Sequence, residues 1–139
     1  MIQLREFQKL RLSSFVNGVV ALEDWQFMGR TWVGEAVGFS EWLCPSDHVD
    51  DLGSLSLDLG ELPSEVVLNV LAKLKLPLRP GMSLSEVCSI LGEPCGSETF
   101  VEDRTSHSFE ITDPDNFSVS CTIQHKGGLC YIVVMAFHD

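Results

Sequence analysis

The sequence predicts a single α+β domain in which a two-helix pair packs on a C-terminal antiparallel sheet, preceded by an N-terminal antiparallel β-meander. Two observations support this class: apolar residues recur at helical spacing within 63–91, and after Pro94 the pattern changes to the two-residue period of β-strands. The 139 residues, 45% of them hydrophobic, are enough for one core. We assign 1–62 to the meander and an acidic loop, and 63–139 to the helix pair and the sheet.

The meander is predicted from its turns. Residues 3–12 fit either a helix or the start of a strand, and we expect a strand from about residue 9. Asn17 and Gly18 form the strongest two-residue hairpin signal in the chain. A second turn is expected at residues 28–30, so the N-terminal third is predicted to run back and forth as a small antiparallel unit.

A polar loop at residues 44–51 follows the meander. Between Ser46 and Glu65 there are six acidic residues and no lysine or arginine, so much of the formal net charge of −11 is concentrated there. Within this acidic stretch the leucines of residues 55–59 alternate with polar residues. This alternation predicts a short edge strand.

Two helices are predicted next. Pro63 suits the first turn of the first helix. The second helix, residues 84–91, has a capping box of Ser83 and Glu86 at its start and Gly92 after its end. The apolar stripes are Val66, Val67, Val70, Leu71 and Leu74 in the first helix, and Leu84, Val87, Ile90 and Leu91 in the second.

The last third of the chain has the period of β-strands. Candidate strands lie at residues 99–101 and 108–111, and residues 113–116 form a turn. Residues 117–124 alternate strictly between apolar and polar, which predicts a strand with one buried face. Residues 129–137 are apolar on both faces, which places that strand in the centre of the sheet.

A short motif marks the second predicted helix. It begins with Gly81-Met82-Ser83, continues with Glu86-Val87 inside the helix, and ends with Leu91-Gly92-Glu93-Pro94. With the helix pair and the strands after it, this motif resembles the domain of the small outer-membrane assembly lipoproteins of the BamE (SmpA/OmlA) type and of the related β-lactamase inhibitory proteins. The resemblance covers about residues 63–137. It implies two helices on an antiparallel sheet and a fold that binds other proteins, and it transfers no catalytic residue.

Charge and hydropathy exclude several classes of function. Nine scattered basic residues and a net charge of −11 argue against nucleic acid and anionic membranes, and favour a basic protein partner. Residues 1–9 are charged where a signal peptide would be apolar, and the apolar run 129–137 is too short to span a bilayer. We therefore expect a cytoplasmic protein without a lipoprotein leader.

The five cysteines are expected to be reduced, because their number is odd and no CxxC motif occurs. Cys88, Cys121 and Cys130 fall in apolar segments and are predicted to act as small buried hydrophobes. Cys44 and Cys95 lie next to prolines in loops and are predicted to be the more exposed thiols.

The candidate chemistry is sparse. Five potential metal ligands lie within eight residues, but their spacing matches no closed zinc motif and no EF-hand, so we predict a solvated acidic loop. Cys95 or Cys44 could meet a histidine only if the fold brings them together. We predict no metal, no cofactor and no catalytic residue. The five potential ligands are Cys44, Asp47, His48, Asp50 and Asp51.

The sequence-based hypothesis is a non-enzymatic protein-binding module, of the cytoplasmic immunity or inhibitor type, for a basic partner. Its predicted binding residues are Trp42 as an anchor with Asp47, Asp50 and Asp51 for steering, and Trp25 and Trp32 as further candidates. The alternative is a small enzyme or ligand-binding domain with a pocket between the meander and the C-terminal sheet. The oligomeric state is expected to be a monomer or a homodimer, the latter if an exposed strand pairs with itself.

Overall fold

The computed structural model describes residues 1–15, 26–28, 31–36, 38–44 and 51–136, and it confirms the mixed α+β class. The helices of this part of the chain are α1 (Leu4–Gln8), α2 (Ser64–Leu74) and α3 (Leu84–Leu91), with a 3₁₀ helix at Leu12–Phe15. The strands are β1 (Gln26–Met28), β2 (Thr31–Ala36), β3 (Phe39–Leu43), β4 (Leu52–Asp58), β5 (Gly96–Val101), β6 (Arg104–Ile111), β7 (Phe117–Gln124) and β8 (Gly128–Ala136).

All described strands join one antiparallel sheet in the order β1-β2-β3-β4-β8-β7-β6-β5. The contact between β4 and β8 unites a half formed by β1–β4 with a half formed by β5–β8. The buried residues of the helices and of one sheet face form a single hydrophobic core. Of the described helices, none is long and apolar enough to cross a membrane.

The segment before the sheet differs from its prediction. The prediction of a strand from about residue 9 is wrong, because this segment contains α1 and the 3₁₀ helix instead. Its apolar residues recur at three-residue spacing, and Phe7 and Leu10 are buried by turning toward the sheet. The Phe7 ring packs edge-on against Phe117 of β7, with centroids 5.2 Å apart. We call residues 1–15 the arm.

The predicted turns of the N-terminal third have different outcomes. The Asn17-Gly18 turn lies outside the described residues. Around the second turn, β1 and β2 pair antiparallel with Met28 opposite Thr31. The two residues between them also lie outside the described part of the chain.

Strand β4 was predicted at an edge, and this is wrong: it lies between β3 and β8. Its leucines on the core face are almost fully buried, including Leu55 and Leu57. Its other face carries half-buried Ser54 and Ser56. An alternating pattern shows that one face is buried, but a central strand of a sheet with one helix-covered face has the same pattern as an edge strand.

Helices α2 and α3 lie at their predicted positions in the sequence, but they differ in how many of their side chains are buried. In α2 the whole predicted stripe is buried. In α3 the predicted capping box forms: the Glu86 amide donates to Ser83 Oγ at 3.2 Å, and the Ser83 amide donates to Glu86 Oε1 at 3.2 Å. Gly92 follows the helix as predicted, and its φ of +88° with a ψ of −162° favours glycine but lies outside the left-handed helical region. Only Val87 of α3 is fully buried.

The C-terminal strands follow the sequence closely. In β7 Phe117, Val119, Cys121 and Ile123 are buried and the residues between them are half-buried. Strand β8 lies between β4 and β7, which confirms its predicted central place.

Candidate functional site

The sheet face opposite the helices is rich in hydroxyl side chains and carries one apolar patch. Trp42 lies opposite Ser54, which in turn lies opposite Met135. Residues directly opposite each other in a ladder project from the same face. Trp42 is 42% exposed and Met135 is 47% exposed. We call this side of the sheet the open face, formed by Ser40, Trp42, Ser54, Ser56, Ser106, Ser118, Ser120, Thr122, Val133 and Met135.

The open face combines two exposed apolar side chains with many hydroxyl groups. Two acidic residues project from the same face: Glu110 lies opposite Ser118 in the row that contains Met135, and Asp58 lies opposite Tyr131. Its hydroxyl groups can donate and accept hydrogen bonds, as Ser106 Oγ and Thr122 Oγ1 do at 2.8 Å. Protein interfaces favour a core depleted in charge and containing aromatic residues or methionine, with polar groups at the rim.

The residues predicted for binding fall in different places. Trp42 is exposed on the open face. Asp51 is buried, and its Oδ1 accepts a hydrogen bond from Lys9 Nζ at 2.7 Å, so this carboxylate attaches the arm to the start of β4. Trp32 lies in β2 opposite Phe27. Trp25, Asp47 and Asp50 lie outside the described residues.

Sequence reasoning missed one buried carboxyl group. Glu41 of β3 is only 2% exposed, and its Oε2 accepts a hydrogen bond from the Leu12 amide at 3.1 Å. Its Oε1 is buried with no hydrogen-bond partner. Burial raises the pKa of Glu41, and the Leu12 bond and the charge of Arg11 oppose that rise. Glu41 lies between Phe39 and Leu43 in an alternating pattern that could have predicted its inward orientation.

A pocket lies where β6, β7 and β8 approach the start of α3. It has a volume of about 490 Å³, and none of its lining residues is acidic. His107 lines it and is buried, with Nδ1 2.7 Å from Ser97 Oγ. Burial lowers the pKa of His107, which favours the neutral imidazole at pH 7. The lining also contains His125, Lys126 and the neutral amide of Gln124.

Cys95 does not contact a histidine side chain within the described residues. Cys95 is exposed as predicted, but its Sγ donates to the Ser108 carbonyl oxygen at 3.3 Å, whereas the imidazole of His107 contacts Ser97. Cys44 is buried, so its predicted exposure is wrong. Burial raises the pKa of Cys121 to about 12, which keeps this thiol protonated.

Metal chemistry has no support in the described part of the chain, where no cluster of three or more potential ligands occurs. The proposed acidic-loop ligands between residues 45 and 50 lie outside that part. Comparison of the chain with protein-family models, with curated proteins and with solved structures finds no match. A function must therefore be inferred from the surfaces of this protein itself.

Proposed function

We propose that this chain is a non-enzymatic protein-binding module, a cytoplasmic immunity- or inhibitor-type protein that covers a basic partner. The observation that carries the proposal is the pair of exposed side chains, Trp42 and Met135, on an open face that is otherwise formed mainly by hydroxyl side chains. Large amphipathic or flexible apolar side chains of this kind act as anchors in protein interfaces.

Charge supports a basic partner. The chain has 20 acidic and 9 basic residues, so its long-range field attracts a protein of opposite charge. Electrostatic attraction of this kind mainly accelerates association, whereas a desolvated anchor slows dissociation. The proposed interface therefore combines an acidic surround with the apolar contact of Trp42.

The proposal includes the finer architecture expected from the sequence. In it, the helix pair supports the C-terminal half of the sheet, as the resemblance to the BamE-type lipoproteins and β-lactamase inhibitory proteins implies, and an N-terminal meander widens the sheet. This arrangement would use the helices for stability and leave the broad sheet surface for the partner.

The test is affinity capture from the native host followed by measurement of the dissociation constant with the purified partner. We expect a partner with a basic isoelectric point, and Trp42→Ala should weaken its binding by about 30-fold or more. Leu68→Ala is the matched control, because Leu68 is an exposed apolar residue on α2, which packs on the opposite face. An acidic partner, or equal binding by the Trp42 variant, would refute the proposal.

A second candidate function is the binding of a small anionic molecule near His107. It is favoured by the pocket of about 490 Å³, which brings His125 and Lys126 together without an acidic lining residue. Thermal-shift measurements with phosphate and simple carboxylates test this candidate. A rise in melting temperature that His107→Ala abolishes would support it, and no rise with any anion would refute it.

A further inference from the structure

Strand β5 forms one end of the sheet, and it is unusually open for an edge strand. All six of its residues are exposed. Phe100 is 77% exposed, the largest fraction among the large hydrophobic residues that the structure describes. Val101 beside it is also exposed. An edge strand presents backbone N–H and C=O groups that can pair with another chain.

Proteins usually protect such an edge. Common devices are proline, lysine, an inward-pointing charge, a short strand or a bulge. In β5 there is no proline and no lysine, and Glu98 is the single charged residue. The β5–β6 ladder has one irregularity, between Glu98 and Val101, which leaves the stretch from Gly96 to Glu98 in regular pairing.

Charge distinguishes between possible occupants of this edge. Four exposed acidic residues lie within or next to β5 in sequence, whereas Arg104 is the only basic residue between positions 93 and 104 and lies 4.0 Å from Asp103. Lys126 lines the same pocket as Glu102 and Asp103, at the Val101 end of the strand. A second copy of the chain would bring the same acidic groups and a charge of −11 against an equal charge. The acidic residues are Glu93, Glu98, Glu102 and Asp103.

We propose that β5 accepts an extended, basic segment of a partner protein as an additional strand, with an apolar side chain of that segment packed on Phe100. Main-chain hydrogen bonds to the β5 edge would supply affinity, and alternate side chains would supply specificity. The acidic residues would pair with lysine or arginine of the incoming strand. This inference rests on the proposed function, because it specifies how a basic protein is held, and it adds a contact distinct from the open face.

The experiment uses the full chain labelled with ¹⁵N and a synthetic peptide that alternates lysine and valine. We expect the peptide to slow amide hydrogen exchange within residues 96–101, because outward N–H groups of β5 become hydrogen-bonded. A peptide that alternates glutamate and valine is the charge control and should give no protection. Phe100→Ser should weaken binding of the lysine peptide by about tenfold or more.

The matched control variant is Leu68→Ser, which removes an exposed apolar side chain from α2 and should leave peptide binding unchanged. Melting temperatures of both variants verify that they are folded. Absence of protection in β5, or equal binding by the Phe100 variant, would overturn the inference. So would dimerisation of the parent, seen by light scattering and abolished by Phe100→Ser, since the occupant would then be a second copy.

Binding measurements with the captured partner distinguish a failure of this inference from a failure of the proposed function. If Trp42→Ala and Phe100→Ser both weaken partner binding and the partner protects β5, both stand. If Trp42→Ala weakens partner binding but the Phe100 variant binds normally and β5 stays unprotected, the inference is wrong and the proposed function stands. If neither variant binds less tightly, both are wrong.

Discussion

The two halves of the sheet satisfy their polar side chains in different ways. In the half formed by β5–β8, neutral groups pair across adjacent strands, as Ser106 does with Thr122. In the half formed by β1–β4, the buried Glu41 carboxyl group accepts its bond from the arm, at the Leu12 amide, 29 residues away in sequence. The first pairing follows from strand register, whereas the second depends on where a distant segment lies.

The arm also connects the two halves. Its Leu4 amide donates to Asp115 Oδ2 at 2.7 Å, beside the start of β7, and Lys9 donates to Asp51 beside the start of β4. Phe7 lies between these attachments and is fully buried. The arm, which consists of two short helices and their flanking residues, thus contributes contacts to both parts of the core. Both halves therefore depend on the arm, and the half formed by β1–β4 contains the buried carboxyl group, Glu41, whose raised pKa makes its stability depend on pH.

The largest expected effect comes from breaking the link between the halves. Phe7→Ala should lower the free energy of unfolding by about 3–5 kcal/mol, because it leaves a cavity against Phe117 in the core. Urea denaturation followed by tryptophan fluorescence measures this loss. Phe109→Ala removes an equally buried ring from β6 and is the control for core burial without the arm. A loss of less than about 1 kcal/mol in the Phe7 variant would show that the arm frays independently.

The next largest effect is expected at Glu41, whose contribution to stability should depend on pH. Because burial raises the pKa of Glu41, the folded state binds more protons than the unfolded state between the two pKa values. The contribution of Glu41 to stability is therefore most favourable below its unfolded pKa, and it decreases as pH rises through the folded pKa. Glu41→Gln removes this dependence and should stabilise the protein by about 1–3 kcal/mol at the alkaline end.

The measurement is the unfolding free energy of the parent and of Glu41→Gln across pH 5 to 8. The gain of the variant should grow with pH, and His107, which titrates in both proteins, cancels in the difference. Glu110→Gln is the control, because Glu110 is exposed on β6 and should give no such trend. A gain that is constant across pH would contradict the assignment.

A smaller effect is expected for the ion pair that holds the arm at β4. Lys9→Met should lower stability by about 1 kcal/mol, since the Asp51 side chain is mostly buried while Lys9 is largely exposed and screened. The loss should shrink as salt is added, which thermal unfolding at low and high ionic strength would detect. Lys73→Met, at an exposed lysine of α2, is the control. An effect independent of salt would indicate lost packing of the lysine stem instead.

The smallest effect belongs to the neutral pair of the other half. Ser106→Ala should cost about 0.5–1 kcal/mol, because a half-buried hydrogen bond to Thr122 is lost. A double-mutant cycle with Thr122→Val isolates the coupling between the two hydroxyl groups. This coupling should not vary between pH 5 and 8. A pH-dependent coupling would remove the distinction between the two halves.

Sequence patterns predicted the half formed by β5–β8 well, because its contacts are between neighbours. The capping box of Ser83 and Glu86, the one-sided burial of β7 and the central place of β8 all follow from local chemistry and period. The capping residues of a helix did not predict how many of its side chains are buried. In α3 the caps are complete but one residue is fully buried, whereas α2 has no side-chain cap and buries five.

The candidate surfaces were predicted only in part. Trp42 was identified as an exposed anchor, yet its neighbour Met135 comes from a strand more than 90 residues later, and only the β4–β8 pairing brings the two onto one face. The exposure of Phe100 could not be inferred either. A run such as Thr99 to Val101 predicts a strand, but its position at the end of the sheet depends on the order of all the others.

Local physical chemistry therefore determined which residues become helix or strand and which side of β7 is apolar, because caps and periodicity act within a few residues. The tertiary structure decided that β4 is central, that Glu41 and Asp51 are buried against the arm, and that β5 is left at an edge. These outcomes depend on contacts between segments far apart in the chain. Their energies arise from burial and desolvation, which no single segment specifies alone.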